Sequence, residues 1–179
     1  ICHCLVGSEM CIRDSDMPAF RLVDKIEADL DDEITEVAAT MALAWSRAWN
    51  GGGAHGTVYW VKPGQVSKSA ETGEYVGKGA FVIRGQRTWY KDIDLRLGIG
   101  LVAINGIPLI MASPAQYIAE ICSRYMIITP GIEKKENIAN RIYKSTGISV
   151  DDILPILPGN CEIIEDVGLI KFKKVETNE

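Results

Sequence analysis

Between residues 33 and 49 apolar side chains recur at Ile34, Val37, Ala38, Met41, Ala42, Trp45, Ala48 and Trp49, the 3.6-residue period of a helix. Asp31 or Asp32 can cap its start, with Glu33 and Glu36 in the first turn where they suit the helix dipole. Asn50 and the run Gly51-Gly52-Gly53 stop it. A short strand over 20–23 precedes the helix. The β-branched and aromatic stretch TVYWV, 57–61, predicts a central strand covered on both faces. A polar loop over 62–78 then leads to a near-continuously apolar strand at 80–83.

The second half alternates differently. In a strand over 95–104, Leu95, Leu97, Ile99, Leu101 and Ala103 share one face, while Gly98 and Gly100 on the other leave room for a helix or a backbone. Asn105-Gly106 is the strongest hairpin signal in the chain, and Pro108 puts the returning strand, 107–111, at an edge or a bulge. A short helix over 114–122 and a strand over 124–129 follow. Pro130-Gly131 predicts a turn into a helix over 133–145, with Ile138 and Ile142 inward and Gly147 past its end. Ser149 can cap the segment VDDILPIL, and strands over 161–165 and 169–175 close the pattern. The fold class expected is α+β: a mixed, largely antiparallel sheet packed with helices, plus a smaller C-terminal α/β extension. The domains expected are a core over 16–113 and the extension over 114–179.

Residues 1–15, ICHCLVGSEMCIRDS, join neither pattern. The string SEMCIRDS resembles a translated sequencing adapter, so this leader is expected to be foreign to the fold. It is no signal peptide, lacking a basic start and a long apolar centre. Cys2-His3-Cys4 has neither zinc spacing nor a second pair, so no metal is expected. Five cysteines without a regular framework fit a reduced, cytoplasmic protein. The 179 residues are 47% hydrophobic, enough for a real core, and no apolar run approaches a membrane span.

Charge adds a division. The net charge is −5, yet residues 16–36 carry eight acids against Arg21 and Lys25, a net of −6. Residues 60–91 carry six bases against Glu71 and Glu74, a net of +4. Such a basic centre can hold phosphate locally, or the two stretches are simply solvated faces of opposite sign. The basic centre contains QVSKSAETGEYVGKGAFVIR, 65–84, which has the look of a phosphate loop. A P-loop needs four residues between its glycines, followed by lysine and a hydroxyl. Here Gly73 and Gly77 are separated by three, Gly79 stands at the hydroxyl position, and the lysine leads into a strand. No nucleotide cofactor is expected. Ser67-Lys68 as neighbours on an extended chain point to opposite sides, and His55 shows no obvious carboxylate partner, so no enzyme activity is expected. Lysines and arginines flanking Tyr75, Trp89 and Tyr90 do suit RNA, which asks for cations toward phosphates and rings for stacking. No recognition helix is legible, and no aromatic pair on an open sheet.

The run YWVKPGQVSKSAETGEYVGKGAFVIRGQRTWY closely resembles the RNA-binding domain of the NFACT family, ribosome quality-control factors also described as fibronectin-binding-like. The matching features are Trp60, Lys62, Gln65-Val66-Ser67-Lys68, Gly73-Glu74-Tyr75 and Gly79-Ala80-Phe81-Val82-Ile83-Arg84-Gly85, with WSRAW at 45–49 similar to the family's helix end. The resemblance spans about residues 17–112, and the remainder, with YMIITPG and ILPG, looks like the tail of archaeal members. The family's preceding strand with its His-Ala-Asp motif is missing, as are the tRNA-reading domain and the coiled-coil arm, so the chain reads as a fragment. The resemblance implies an RNA-binding module that engages the stalled large ribosomal subunit and tRNA in support of template-free tailing of nascent chains. It implies no membrane and no small-molecule substrate. The RNA-binding residues expected are Lys62, Lys68, Tyr75, Lys78, Arg84 and Arg87, on a frame of Trp60, Phe81 and Ile83. The alternative is a protein-interaction domain that docks a larger factor on the ribosome without touching RNA.

Overall fold

The computed structural model describes residues 13–14, 17–20, 32–61, 63–67, 69 and 82–170. The chain divides into two compact units, one of residues 2–48 and 55–94, the other of residues 49–54 and 95 onward.

The first unit contains β1 (Arg13–Asp14), β2 (Met17–Phe20), α1 (Asp32–Ala44), β3 (His55–Trp60), β4 (Val66–Ser67), β5 (Val82–Ile83) and β6 (Thr88–Asp94). One sheet runs β1-β2-β3-β6, with β2 parallel to β3 and the other neighbours antiparallel. β3 is internal, as its composition demands, with Val58 and Tyr59 buried. β4 and β5 form a separate two-stranded ribbon.

The long helix expected over 33–49 is broken. α1 ends at Ala44, and a short helix, α2 (Arg47–Asn50), follows. Ser46 supplies the reason: its hydroxyl donates to the Leu43 carbonyl at 2.6 Å and accepts from the Ala48 N–H at 3.1 Å. One side chain thus satisfies an end of each helix. The buried face of α1 is also rotated from the apolar one, with Thr35, Ala39, Thr40, Leu43 and Ala44 inside and Ile34 53% exposed. Threonine is tolerated there because its hydroxyl is satisfied. Thr35 donates to the Asp32 carbonyl at 2.9 Å and shares a hydrogen bond with the Tyr90 hydroxyl, and Thr40 donates to the Glu36 carbonyl at 3.0 Å.

Tyr90 belongs to β6, a strand that the hydrophobic pattern does not predict. Its pairing with β3 slips once: Tyr90 lies opposite Val58 and Ile93 opposite Gly56, so Lys91 and Asp92 together face Thr57. This is a β-bulge, with Asp92 in the left-handed region at φ 56°. A side-chain carbon at Gly56 would run into Leu43 of α1, which identifies the helix-covered face. Tyr90 and Ile93 are both turned to that face and half-buried, while Thr88, Trp89, Lys91, Asp92 and Asp94 are exposed.

The second unit contains the last two residues of α2, Trp49 and Asn50, with β7 (Leu97–Ile104), β8 (Ile107–Pro114), α3 (Ala115–Ile121), β9 (Arg124–Glu133), α4 (Lys135–Thr146), α5 (Val150–Ile153) and β10 (Cys161–Val167). Its antiparallel sheet runs β10-β9-β7-β8. Asn105 and Gly106, at φ 52° and 78°, turn β7 into β8, and β8 is an edge strand, as Pro108 requires. The division expected after residue 113 falls at the last residue of β8, Pro114. β9 passes straight through Pro130-Gly131, where a turn was expected. β7 pairs with β9 only from Arg124 to Ile128, so at Pro130 a missing N–H removes no bond on that side.

α4 places Ile138 and Ile142 in the core and ends at Gly147, φ 77°, and Ser149 caps α5 by accepting from the Asp151 N–H. No strand resumes at Leu169. The Leu169 and Ile170 N–H groups donate to the Asp166 carboxylate at 3.0 and 3.1 Å, and the rest of the strand expected over 169–175 lies outside the described residues. Trp49 is buried in this unit, its indole N–H donating to the Asn160 carbonyl at 2.8 Å.

The paired glycines of β7 do take a helix. A side-chain carbon at Gly98 would lie 2.3 Å from Cβ of Ile118 on α3, and one at Gly100 would lie 2.4 Å from the Cys122 sulfur. Because Cβ cannot swing away as a side-chain tip can, Gly98→Ala must push α3 off the sheet. The expected cost is about 1–3 kcal/mol, read as a lower urea midpoint with an unchanged slope.

Candidate nucleic-acid interface

Of the six residues expected to contact RNA, Lys62, Lys68, Tyr75 and Lys78 lie outside the described residues, as does Phe81 of the expected frame. Arg84 and Arg87 are described, and both follow from one local device. Gln65, in the turn after β3, returns to the chain that leaves β5. Its side-chain amide donates to the Arg84 carbonyl at 2.9 Å and to the Gln86 carbonyl at 2.7 Å, and its own carbonyl accepts from the Arg84 N–H at 2.8 Å. Gly85, between the two acceptors, sits at φ 84°, and a side-chain carbon there would lie 2.9 Å from the Gln65 nitrogen. Only glycine combines that dihedral with that approach. The turn carrying both arginines is therefore set by hydrogen bonds to its backbone.

Arg87 emerges exposed, its guanidinium 4.8 Å from the centre of the Tyr59 ring. That distance suits a cation–π contact, which leaves the N–H groups free to bond elsewhere. The same ring meets Trp89, with centroids 5.1 Å apart and planes tilted by 57°. Tyr59 and Trp89 are direct cross-strand partners on β3 and β6, and such aromatic pairs stabilise a sheet beyond their area. Tyr59 is buried, while Trp89 is 41% exposed. No aromatic pair on an open sheet was expected, and of these two rings only Trp89, on the terminal strand of the sheet, reaches solvent. Register alone brings Tyr59 to Trp89, and register was not legible across the intervening loop.

Trp60 and Ile83, expected as frame residues, are half-buried. His55 does have a carboxylate partner: its Nδ1 lies 2.7 Å from Asp94 Oδ1 across the β3–β6 pair, with both side chains more than half exposed. An exposed pair of this kind contributes little to stability. Among the described residues no cluster of three or more potential ligands could hold a metal ion, and no helix is long and apolar enough to cross a membrane. The buried thiols of Cys122 and Cys161 are not poised for chemistry. Burial raises both, with Glu133 adding to the effect at Cys161, which is pushed up to about 12.

A cationic turn beside a strand with an exposed indole suits a nucleic-acid-binding module. The family model for the NFACT protein RNA binding domain matches residues 4–85, a span that reaches into the leader expected to be foreign; the chain belongs to the NFACT family. It is 36% identical over 150 residues to the archaeal Rqc2 homolog aRqcH of Methanocaldococcus jannaschii, across 82% of this chain and 22% of that protein. It is 40% identical over 65 residues to the ribosome quality control complex subunit NEMF of Homo sapiens and to its homolog in Drosophila melanogaster, across 36% of this chain and 6% of each. The chain thus spans less than a quarter of the archaeal relative's length. No solved structure matches.

Proposed function

We propose that this chain is the RNA-contacting part of a ribosome quality-control factor. In this reading it grips the RNA of a stalled large ribosomal subunit and tRNA, supports template-free tailing of the nascent chain, works in the cytoplasm, and performs no chemistry itself. The observation that carries the reading is the pair Arg84 and Arg87 on a turn locked by Gln65. Cations on a preset backbone lose less freedom on meeting phosphate than cations on a loose loop. Lys62, Lys68 and Lys78, from the same basic stretch, complete the proposed set with Tyr75.

Lysine and arginine that neutralise phosphates release counterions, so log affinity falls with log salt by about 0.7–0.9 for each phosphate. Five engaged bases give a slope of about −4. Fluorescence anisotropy with fragments of large-subunit RNA between about 50 and 200 mM salt, over which such contacts lose much of their affinity, measures it. An affinity indifferent to salt would sink the reading. One observation favours the protein-contact alternative instead: the β7–β8 hairpin of the second unit exposes Ile104, Ile107 and Leu109, an apolar tip of the kind proteins bind. If that reading holds, substitutions at this tip will release the chain from subunits while charge reversals at the arginines will not.

A further inference from the structure

We propose that Trp89 is a stacking platform for an unpaired RNA base, which makes single-stranded nucleotides, and not duplex, the ligand of this face. The proposal rests on the RNA-binding reading above and adds the residue and the nucleic-acid form.

Three observations converge on Trp89. It is large, apolar and 41% exposed, on β6, the last strand of its sheet. An indole left open at a strand that ends a sheet loses burial it could have had, unless something else covers it. Its orientation is fixed from behind, where the buried Tyr59 ring meets it at 5.1 Å. A ring held this way has little freedom left to lose when a base settles on it. Its neighbours on the same side of the chain are Arg87 and Lys91. Residues four apart along a strand stand about 13 Å apart, so the two cations flank the ring at a distance that suits phosphates on either side of a stacked nucleotide and not one neighbouring pair. Among the described residues neither Arg87 nor Lys91 is in an ion pair, and the Arg87 guanidinium is steadied on the same Tyr59 ring at 4.8 Å. Cation, ring, cation is thus the order presented by residues 87, 89 and 91. Asp92 and Asp94 end the cationic run, with Asp94 engaged by His55.

The geometry selects the ligand. A base in a duplex is already stacked on both faces and offers none to a protein ring, whereas a base in a loop, bulge or tail does. Stacking reads no base edge, so tolerance of sequence follows. Peptide is disfavoured as occupant because the ring is flanked at alternate positions by two cations, Arg87 and Lys91, with Asp92 beyond them, an order that suits a polyanion.

The test uses the full chain with two fluorescent RNA probes at one salt concentration: an unstructured oligonucleotide and a hairpin with a fully paired stem and a closed tetraloop. Wild type should prefer the unstructured probe. Trp89→Ala should weaken that binding by about fivefold to a hundredfold, the range for losing one stacked base, and leave binding of the paired stem unchanged. Trp89→Phe, which keeps a ring and guards against misfolding of the alanine variant, should retain most of the affinity. Tryptophan fluorescence should be quenched by the unstructured probe in wild type but not in Trp89→Phe, which keeps Trp45, Trp49 and Trp60. If both probes bind equally and Trp89→Ala binds as wild type, while salt still weakens binding, the stacking proposal is wrong and the RNA-binding reading stands. If neither probe binds, both are wrong.

Discussion

Trp49→Ala should lower the folding free energy by about 3–5 kcal/mol, a large share of the 5–15 kcal/mol or so that holds a typical domain together. Trp49 is 1% exposed, so its removal opens a cavity under α2. It also strips the Asn160 carbonyl of the donor that now meets it at 2.8 Å. Gly159 cannot fill the gap, since it touches the ring with no side chain of its own. Trp49→Phe separates the two losses. It keeps much of the apolar volume but not the indole N–H, and should recover part of the stability while still costing about 1–3 kcal/mol for the unmet carbonyl. Urea unfolding followed by circular dichroism measures both variants. A midpoint for Trp49→Ala within error of wild type would show that the second unit does not depend on this ring.

The double reversal Arg84→Glu with Arg87→Glu should reduce RNA affinity by roughly a hundredfold or more, since each charge-assisted hydrogen bond to phosphate that disappears is worth about 1.5–3 kcal/mol. Repulsion between the new carboxylates and phosphate adds to this. The salt slope should become shallower by about 1.4–1.8, two phosphates' worth. Folding should survive, because Gln65 holds the turn through the Arg84 and Gln86 carbonyls and not through either arginine side chain. Arg87 does give up its place on the Tyr59 ring, which costs about 0.5–1 kcal/mol at an exposed site. Wild-type affinity in a folded double variant would remove the turn from the interface.

What the sequence made legible follows the range of the forces involved. The hairpin at Asn105-Gly106 and the cap at Ser149 are decided within a few residues, and both stand as expected. So does the helix packed over Gly98 and Gly100, since a strand interior has few other uses for two glycines. α1 was legible as a helix but not as an orientation. Its apolar stripe pointed to Ile34, yet the sheet receives Thr35 and Thr40, whose hydroxyls are satisfied by carbonyls one turn back and by Tyr90. Nothing near Thr35 in the chain announces Tyr90. Pro130-Gly131 read as a turn because local rules say so, and the absence of a β7 partner beyond Ile128 is a fact about topology. For the candidate interface, the cations could be seen in the composition. The Tyr59–Trp89 pair could not, because it joins two strands across a long connection. A different scan, asking for a cation, a ring and a cation at alternate positions, would have marked Arg87, Trp89 and Lys91.

β6 went unseen for a reason that bears on what the strand is for. A regular strand gives every second side chain to the interior. Here the anchors are Tyr90 and Ile93, three apart, because the bulge fits Lys91 and Asp92 into the space of one residue. Between its two moorings the strand therefore sends two side chains to solvent where an unbulged strand would send one. A surface that must crowd functional groups along a short length gains from that arithmetic, and the extra crowding needs no additional strand and no longer loop.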